Sequence, residues 1–197
     1  MHNIQTRSIA IFAALAALMA ATRFDHFGSA VALPDASLAV FFLGGIFLTL
    51  SARASLAAFA VLIIEAGLID YYATSVLGVS DWCMTTAYWF LIPTYGSLWL
   101  VGRWFVLRHS MEGKGLVALA LVAWAANSFV FMFSNATFYL FSGRFADMSA
   151  IEYASRVAQY YGSYVSVALL YIACAVALHI ASDIMMGQRE HARSDAA

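Results

Sequence analysis

KGLVALALVAWAANSFVFMFSNAT, Lys114–Thr137, decides the fold class of this chain. No charged side chain occurs from Gly115 to Gly143. A helix rising 1.5 Å per residue over such a run crosses the roughly 30 Å hydrocarbon layer of a bilayer. Runs of the same character recur on both sides of it. The pattern predicts six helices, at about 7–24, 36–52, 54–73, 84–107, 114–137 and 156–187. With 63% hydrophobic and 11% charged residues in 197, and a mean hydropathy of +0.81, the composition is that of an all-α integral membrane protein. One transmembrane helical domain, 1–197, uses the whole length, and the lipid bilayer is its solvent.

Local signals refine the bundle. Ser8 to Thr22 has the apolar character of a signal-peptide core, but Thr22-Arg23-Phe24-Asp25 is a poor cleavage site, so it is kept as the first helix. Gly44-Gly45 in the second helix lets another backbone approach closely. Pro93 is expected to kink the fourth helix, and the sixth outruns the bilayer. Arg7, Arg53, Arg103, Arg108, Lys114, Arg189 and Arg193 fall on one side of the six spans; Arg23, Arg144 and Arg156 fall on the other. Basic residues mark the cytoplasmic side, so both termini are expected in the cytoplasm and the loop holding Cys83 faces outward. The net charge of −1, without a basic block, excludes nucleic acid as a partner.

Cys83 is the residue with the clearest chemical potential. It lies in Gly78-Val79-Ser80-Asp81-Trp82-Cys83-Met84-Thr85, which has no Lys or Arg and separates two long apolar stretches. A thiol at a membrane surface, among polar and aromatic groups, suggests a ligand or nucleophile; an incidental small residue is the bland alternative. Cys174 lies about eighteen residues, or roughly 27 Å of helix, below the outer end of the last span, too far for a disulfide. It reads as a small core residue.

Other polar groups gather on the same side. Asp25 and His26 lie in the first outer loop, and Asp35 is placed to cap the second helix. The third helix carries Glu65 and ends in Asp70, Tyr71 and Tyr72. Acids in or near a span are functional candidates, although Asp70 is expected to have solvent access and Glu65 to serve as a clamp with a partner such as Asn127. Thr85, Tyr88, Ile92, Tyr95 and Trp99 share one face of the fourth helix; Arg156, Tyr160, Ser163, Tyr164 and Tyr171 share one face of the sixth. The depth of Tyr95, Trp99 and Tyr171 points to an aromatic cavity open to the outside, with Asp70, Asn135, Gln159 and Arg156 at its rim. No CxxC, HxxxH or Cys-His cluster builds a protein metal site. One cysteine is enough, however, to add an axial ligand to a metal already held in a cofactor.

Several segments resemble a known family. Leu33-Pro34-Asp35-Ala36-Ser37-Leu38-Ala39-Val40-Phe41-Phe42-Leu43-Gly44-Gly45 is similar to its first outer loop and second helix. Gly78-Val79-Ser80-Asp81-Trp82-Cys83, Ala87-Tyr88, Pro93-Thr94-Tyr95, Leu98-Trp99 and Gly102-Arg103 are similar to its third loop and fourth helix. The family is BtuM, small transporters of vitamin B12 (cobalamin) in the bacterial inner membrane. It is related to the substrate-binding S-components of energy-coupling-factor (ECF) transporters.

The resemblance implies a multi-pass, S-component-like bundle that binds cobalamin from the periplasmic side. Cys83 would ligate cobalt in the base-off vitamin and serve as the catalytic group in decyanation of cyanocobalamin. Ala13, Ala17 and Ala21, with Ala10, Ala14, Ala16 and Ala20 beside them, give the first helix a face of small residues that suits packing within the bundle equally well; the resemblance implies that this face would dock an ECF coupling subunit with its ATPases. The chain has no GxxxxGK[ST] for P-loop ATP hydrolysis. Placement on the outer side adds His26, Asp70, Tyr72, Tyr88, Tyr95 and Arg156 as vitamin contacts. Two rival classes stay open: a membrane redox protein using haem or quinone, with His179 as its intramembrane histidine, and a structural membrane subunit whose aromatics simply pack.

Overall fold

The computed structural model describes residues 2–24, 33–48 and 50–194. Among them are six α-helices and no strand: α1 (His2–Thr22), α2 (Ser37–Phe47), α3 (Ala52–Ser75), α4 (Leu91–Val106), α5 (Lys114–Phe141) and α6 (Ala150–Ser194). A 3₁₀ turn, Thr86–Phe90, leads into α4. Three helices are long and apolar enough to cross a membrane: α3, α5, and α6 as far as Met185. Their outward faces carry Leu56, Val61, Leu68, Leu121, Met132, Leu170 and Leu178 in exposed positions. Such faces suit lipid and not water.

α2 forms the centre. It packs on α1, α3, α4 and α6, most extensively on α4, while α5 closes the bundle against α4 and α6. Ten of its eleven residues, Ser37 to Ile46, are buried, so it has no lipid-facing side. Eleven residues rise only about 16 Å, roughly half the hydrocarbon layer. The predicted 36–52 helix is therefore corrected to a short central one. Hydropathy reads the residues after Phe47 as more of the same span, but Leu48 leaves helical geometry at φ −86°, ψ 72°.

Neighbouring side chains satisfy the backbone at both ends of α2, as a non-helical chain at membrane depth requires. The Ala36 N–H donates to Thr22 Oγ1 at 3.1 Å, and the Tyr171 hydroxyl donates to the Pro34 carbonyl at 2.9 Å. Asp35 performs the expected capping from one residue further out, accepting from the Ser37 N–H at 2.8 Å. Beyond the other end, Arg103 Nη2 donates to the Leu50 carbonyl at 3.3 Å.

Lipid tails are as apolar as leucine, so close packing, and not escape from water, holds α2 to α4. Glycines make the approach possible. A Cβ at Gly45 would overlap the Trp99 carbonyl, one at Gly102 would overlap the Phe42 carbonyl, and one at Gly44 would strike the Trp99 ring. Gly45→Ala must push two backbones apart and is expected to destabilise the protein by about 1–3 kcal/mol. A thermal melt in detergent should show a lower midpoint; an unchanged midpoint would mean the two helices can separate freely.

The fourth predicted helix also changes. Residues 84–90 are turn and 3₁₀ structure, and Pro93 lies in the first turn of α4. An N–H there has no intrahelical acceptor, so proline starts the helix and does not kink it. α6 runs to Ser194 over 45 residues, about 67 Å, well beyond a bilayer as expected.

Candidate functional site

The polar residues near one end of the bundle sort into two groups. The first is a buried network around Arg23, which directly follows α1 and is 2% exposed. Its guanidinium forms a two-pronged pair with Asp70 of α3: Nε to Oδ1 at 2.9 Å and Nη2 to Oδ2 at 2.7 Å. Nη1 donates to Ser37 Oγ at 2.7 Å and to the Tyr95 hydroxyl at 2.9 Å. Ser37 Oγ in turn donates to Asp35 Oδ1 at 2.6 Å, and the Tyr88 hydroxyl donates to Asp70 Oδ2 at 2.7 Å. Tyr95 stacks on Phe41 with centroids 4.3 Å apart and planes 9° from parallel.

This network joins the end of α1, the start of α2, α3, the 3₁₀ turn and α4. It corrects the expectation that Asp70 has solvent access, since Asp70 is buried and paired with a cation 47 residues earlier. Asp70, Tyr88 and Tyr95 are thus brought together as predicted residues, and Arg23 is the member that sequence reasoning missed. The signal was available in principle: an acid inside a bundle demands a partner, and Arg23 is the nearest cation at the same level.

The second group surrounds Cys83, which is exposed and unpaired. Its segment is an ordered turn. The Met84 N–H donates to the Asp81 carbonyl at 2.8 Å, the Thr85 N–H to the Cys83 carbonyl at 2.9 Å, and the Trp82 N–H to Ser80 Oγ at 3.3 Å. Gly78, at φ +69°, supplies the left-handed residue that turns the chain out of α3. Thr85 Oγ1 then caps the 3₁₀ turn by accepting from the Ala87 N–H. Across the gap, the Arg144 guanidinium lies 4.5 Å from the Trp82 ring. Although the residue is exposed, the protein around its sulfur pushes the Cys83 thiol up from its ordinary value. The Asp70 carboxylate adds to the rise and the Arg144 guanidinium opposes it.

The remaining predicted residues are scattered. Tyr72 is exposed and edge-on to Phe24 at 6.2 Å. Arg156 is exposed and paired with Glu152 one helical turn away, at 2.7 Å. His26 lies outside the described residues. Tyr95, Trp99 and Tyr171 find polar partners inside, as expected, but those partners are protein: Arg23, Ser55 Oγ at 3.1 Å and the Pro34 carbonyl. The depth of these three side chains therefore no longer argues for an open aromatic cavity. Cys174 is exposed on α6 and not in the core. Asn127 is fully buried, but its Nδ2 donates to the Ala123 carbonyl and it makes no hydrogen bond to Glu65. Glu65 instead lines an open apolar groove with Phe24, Val61, Ile64, Leu68, Ile69 and Tyr72.

The His179 ring has Nδ1 3.3 Å from Arg7 Nη2 and Nε2 3.5 Å from Asp183 Oδ2. Among the described residues, no three His, Cys, Asp or Glu side chains gather to hold a metal ion. No family model matches the chain, and no curated protein matches it.

Proposed function

We propose that this chain is a multi-pass protein of the bacterial cytoplasmic membrane that takes up cobalamin, binding it on the outer face through Cys83. The observation carrying the reading is the unpaired, exposed thiol on an ordered turn at the end of a membrane bundle. In this reading all six helices belong to the membrane bundle and both termini are cytoplasmic. The exposed Ala10, Ala13, Ala14, Ala17 and Ala21 on α1 meet a coupling subunit with its ATPases.

The vitamin arrives with cobalt already held by the corrin, so one sulfur completes an axial position. The thiol loses its proton to solvent, the Co–S bond forms, and the vitamin's benzimidazole leaves the lower face. With cyanocobalamin, the thiolate can instead take the axial position held by cyanide: one Co–S bond forms, one Co–C bond breaks, and cyanide departs with the electron pair. Cobalt stays Co(III) throughout, so no reductant is needed. The Arg23–Asp70 network holds α3 and the 3₁₀ turn in place beneath the Cys83 turn. The test is protection. An impermeant maleimide should label Cys83 from outside the cell, and cobalamin should block it; labelling only from the cytoplasmic side, or no protection, would end the proposal.

Proton release sets a pH dependence. The Cys83 thiol is raised, so it is protonated at neutral pH and must lose a proton to bind cobalt. Apparent affinity should rise about tenfold per pH step as the medium becomes more alkaline, levelling only above the raised thiol value, and fall on acidification. Spectral titration between about pH 6 and 9 reads this slope. A flat profile would exclude sulfur as the ligand.

A further inference from the structure

We propose that Arg144 is the positioning residue of the Cys83 site, its guanidinium lying over the Trp82 ring so that the turn carrying the sulfur is tied to the connection between α5 and α6. The inference rests on the reading of Cys83 as the cobalt ligand. It goes beyond that reading by naming what aims the sulfur.

The hydrogen bonds of the turn run among Ser80, Asp81, Trp82, Cys83, Met84 and Thr85. They fix the shape of the turn, and its two ends are tied to α3 and the 3₁₀ turn by Val79 N–H to the Ala73 carbonyl at 3.1 Å and Tyr88 N–H to the Thr85 carbonyl at 2.9 Å; none of them reaches α5 or α6. The contact at 4.5 Å between Arg144 and the Trp82 ring reaches across to another part of the fold. Its far end is firmly held. Gly143 turns the chain at φ +70°, and the Arg144 N–H donates to Ser142 Oγ at 3.2 Å. The next residue, Phe145, is packed edge-on against Phe138 and Tyr153, and the Tyr139 hydroxyl closes the connection on the Met148 carbonyl at 2.8 Å. A side chain anchored this way is a strut, because its own backbone cannot follow the turn it touches.

The charges around Cys83 agree with this placement. Asp70 comes from α3, Tyr153 from α6 and Arg144 from the connection before α6, and all three interact electrostatically with the thiol. Arg144 alone among them is a cation. A guanidinium over an aromatic ring spreads its charge across a planar group, which an ammonium does not do. Arg144 therefore fixes the place of the turn, and its charge opposes that of Asp70 beside the sulfur.

The experiment uses the intact chain in detergent, with Cys174→Ala so that one thiol is read. In the first arm, cyanocobalamin is titrated and the sulfur-ligated fraction of the bound vitamin is followed in the visible spectrum. Arg144→Ala should lower that fraction and weaken binding by about two- to fivefold, the range for an exposed cation–π contact. Arg144→Lys should recover part of it. A wild-type fraction in Arg144→Ala would overturn the proposal.

The second arm needs no vitamin. Maleimide alkylation rates of Cys83 at one fixed pH are compared in the parent, Arg144→Ala, Trp82→Leu and the double variant. A strut predicts that the two effects do not multiply, with a coupling of about two- to fivefold. Simple multiplication would overturn it. If the parent binds no corrinoid while this coupling persists, the cobalamin reading has failed and the strut stands.

Discussion

Cys83→Ala is expected to abolish sulfur-ligated cobalamin and, with it, B12-dependent growth of a strain that relies on this protein for uptake. Cys174→Ala should leave both intact. The contrast follows from position. Cys83 is exposed on the turn between α3 and the 3₁₀ segment, whereas Cys174 is exposed on the side of α6, within the apolar part of that helix. A hydroxyl is a poor substitute for a thiolate on a soft-ligand site, so Cys83→Ser should resemble alanine and not the parent. Growth counts at limiting cobalamin give the result directly. Equal growth of Cys83→Ala and parent would show that transport does not pass through the sulfur. Loss in both cysteine variants would point to a general defect of the bundle.

The second large effect concerns stability. Arg23→Ala should destabilise the protein by about 3–5 kcal/mol, because it leaves the Asp70 carboxylate buried without its cation. Ser37 and Tyr95 lose a donor at the same time. Asp70→Leu alone should be comparably damaging, since Arg23 is then the buried charge. The double variant Arg23→Met, Asp70→Leu should recover much of the loss, because a buried pair replaced by apolar groups of similar size is often nearly neutral. Thermal melts of the four proteins in one detergent provide the comparison. Additive losses in the double variant would show that the two side chains act separately, and the network would lose its role in holding α1, α2, α3 and α4 together.

The sequence is most readable where hydropathy and length agree. α5 was predicted from an uncharged run and is found over Lys114–Phe141; α3 and α6 follow in the same way. α2 shows where that reasoning ends. Its neighbours in sequence are also apolar, so composition does not mark the point at which Leu48 leaves the helix. Apolar content tells where a chain is buried, but carries little about whether the burial is helical. The 3₁₀ turn TAYWF hid the start of α4 for the same reason. Gly44-Gly45 was legible, because a missing side chain has one main use in a crowded bundle, and α4 is the helix that uses it.

The site was legible only in part. Asp70, Tyr88 and Tyr95 were singled out individually, yet the residue joining Asp70 to Tyr95 is an arginine counted as a loop charge, and Tyr88 enters through Asp70. Pairing across 47 residues depends on how the helices pack, and no local pattern encodes it. Cys83 stood out because its setting is local: a thiol in a short polar turn between apolar stretches. The contact of the adjacent Trp82 with Arg144 was not legible, since the two lie on different connections that only the closed bundle brings side by side.

The visible spectrum of purified protein with cyanocobalamin bound, compared between parent and Cys83→Ala, tests the central claim most directly. Cobalt–thiolate ligation predicts a shifted spectrum in the parent that is missing in the variant. Identical spectra in the two proteins would contradict it.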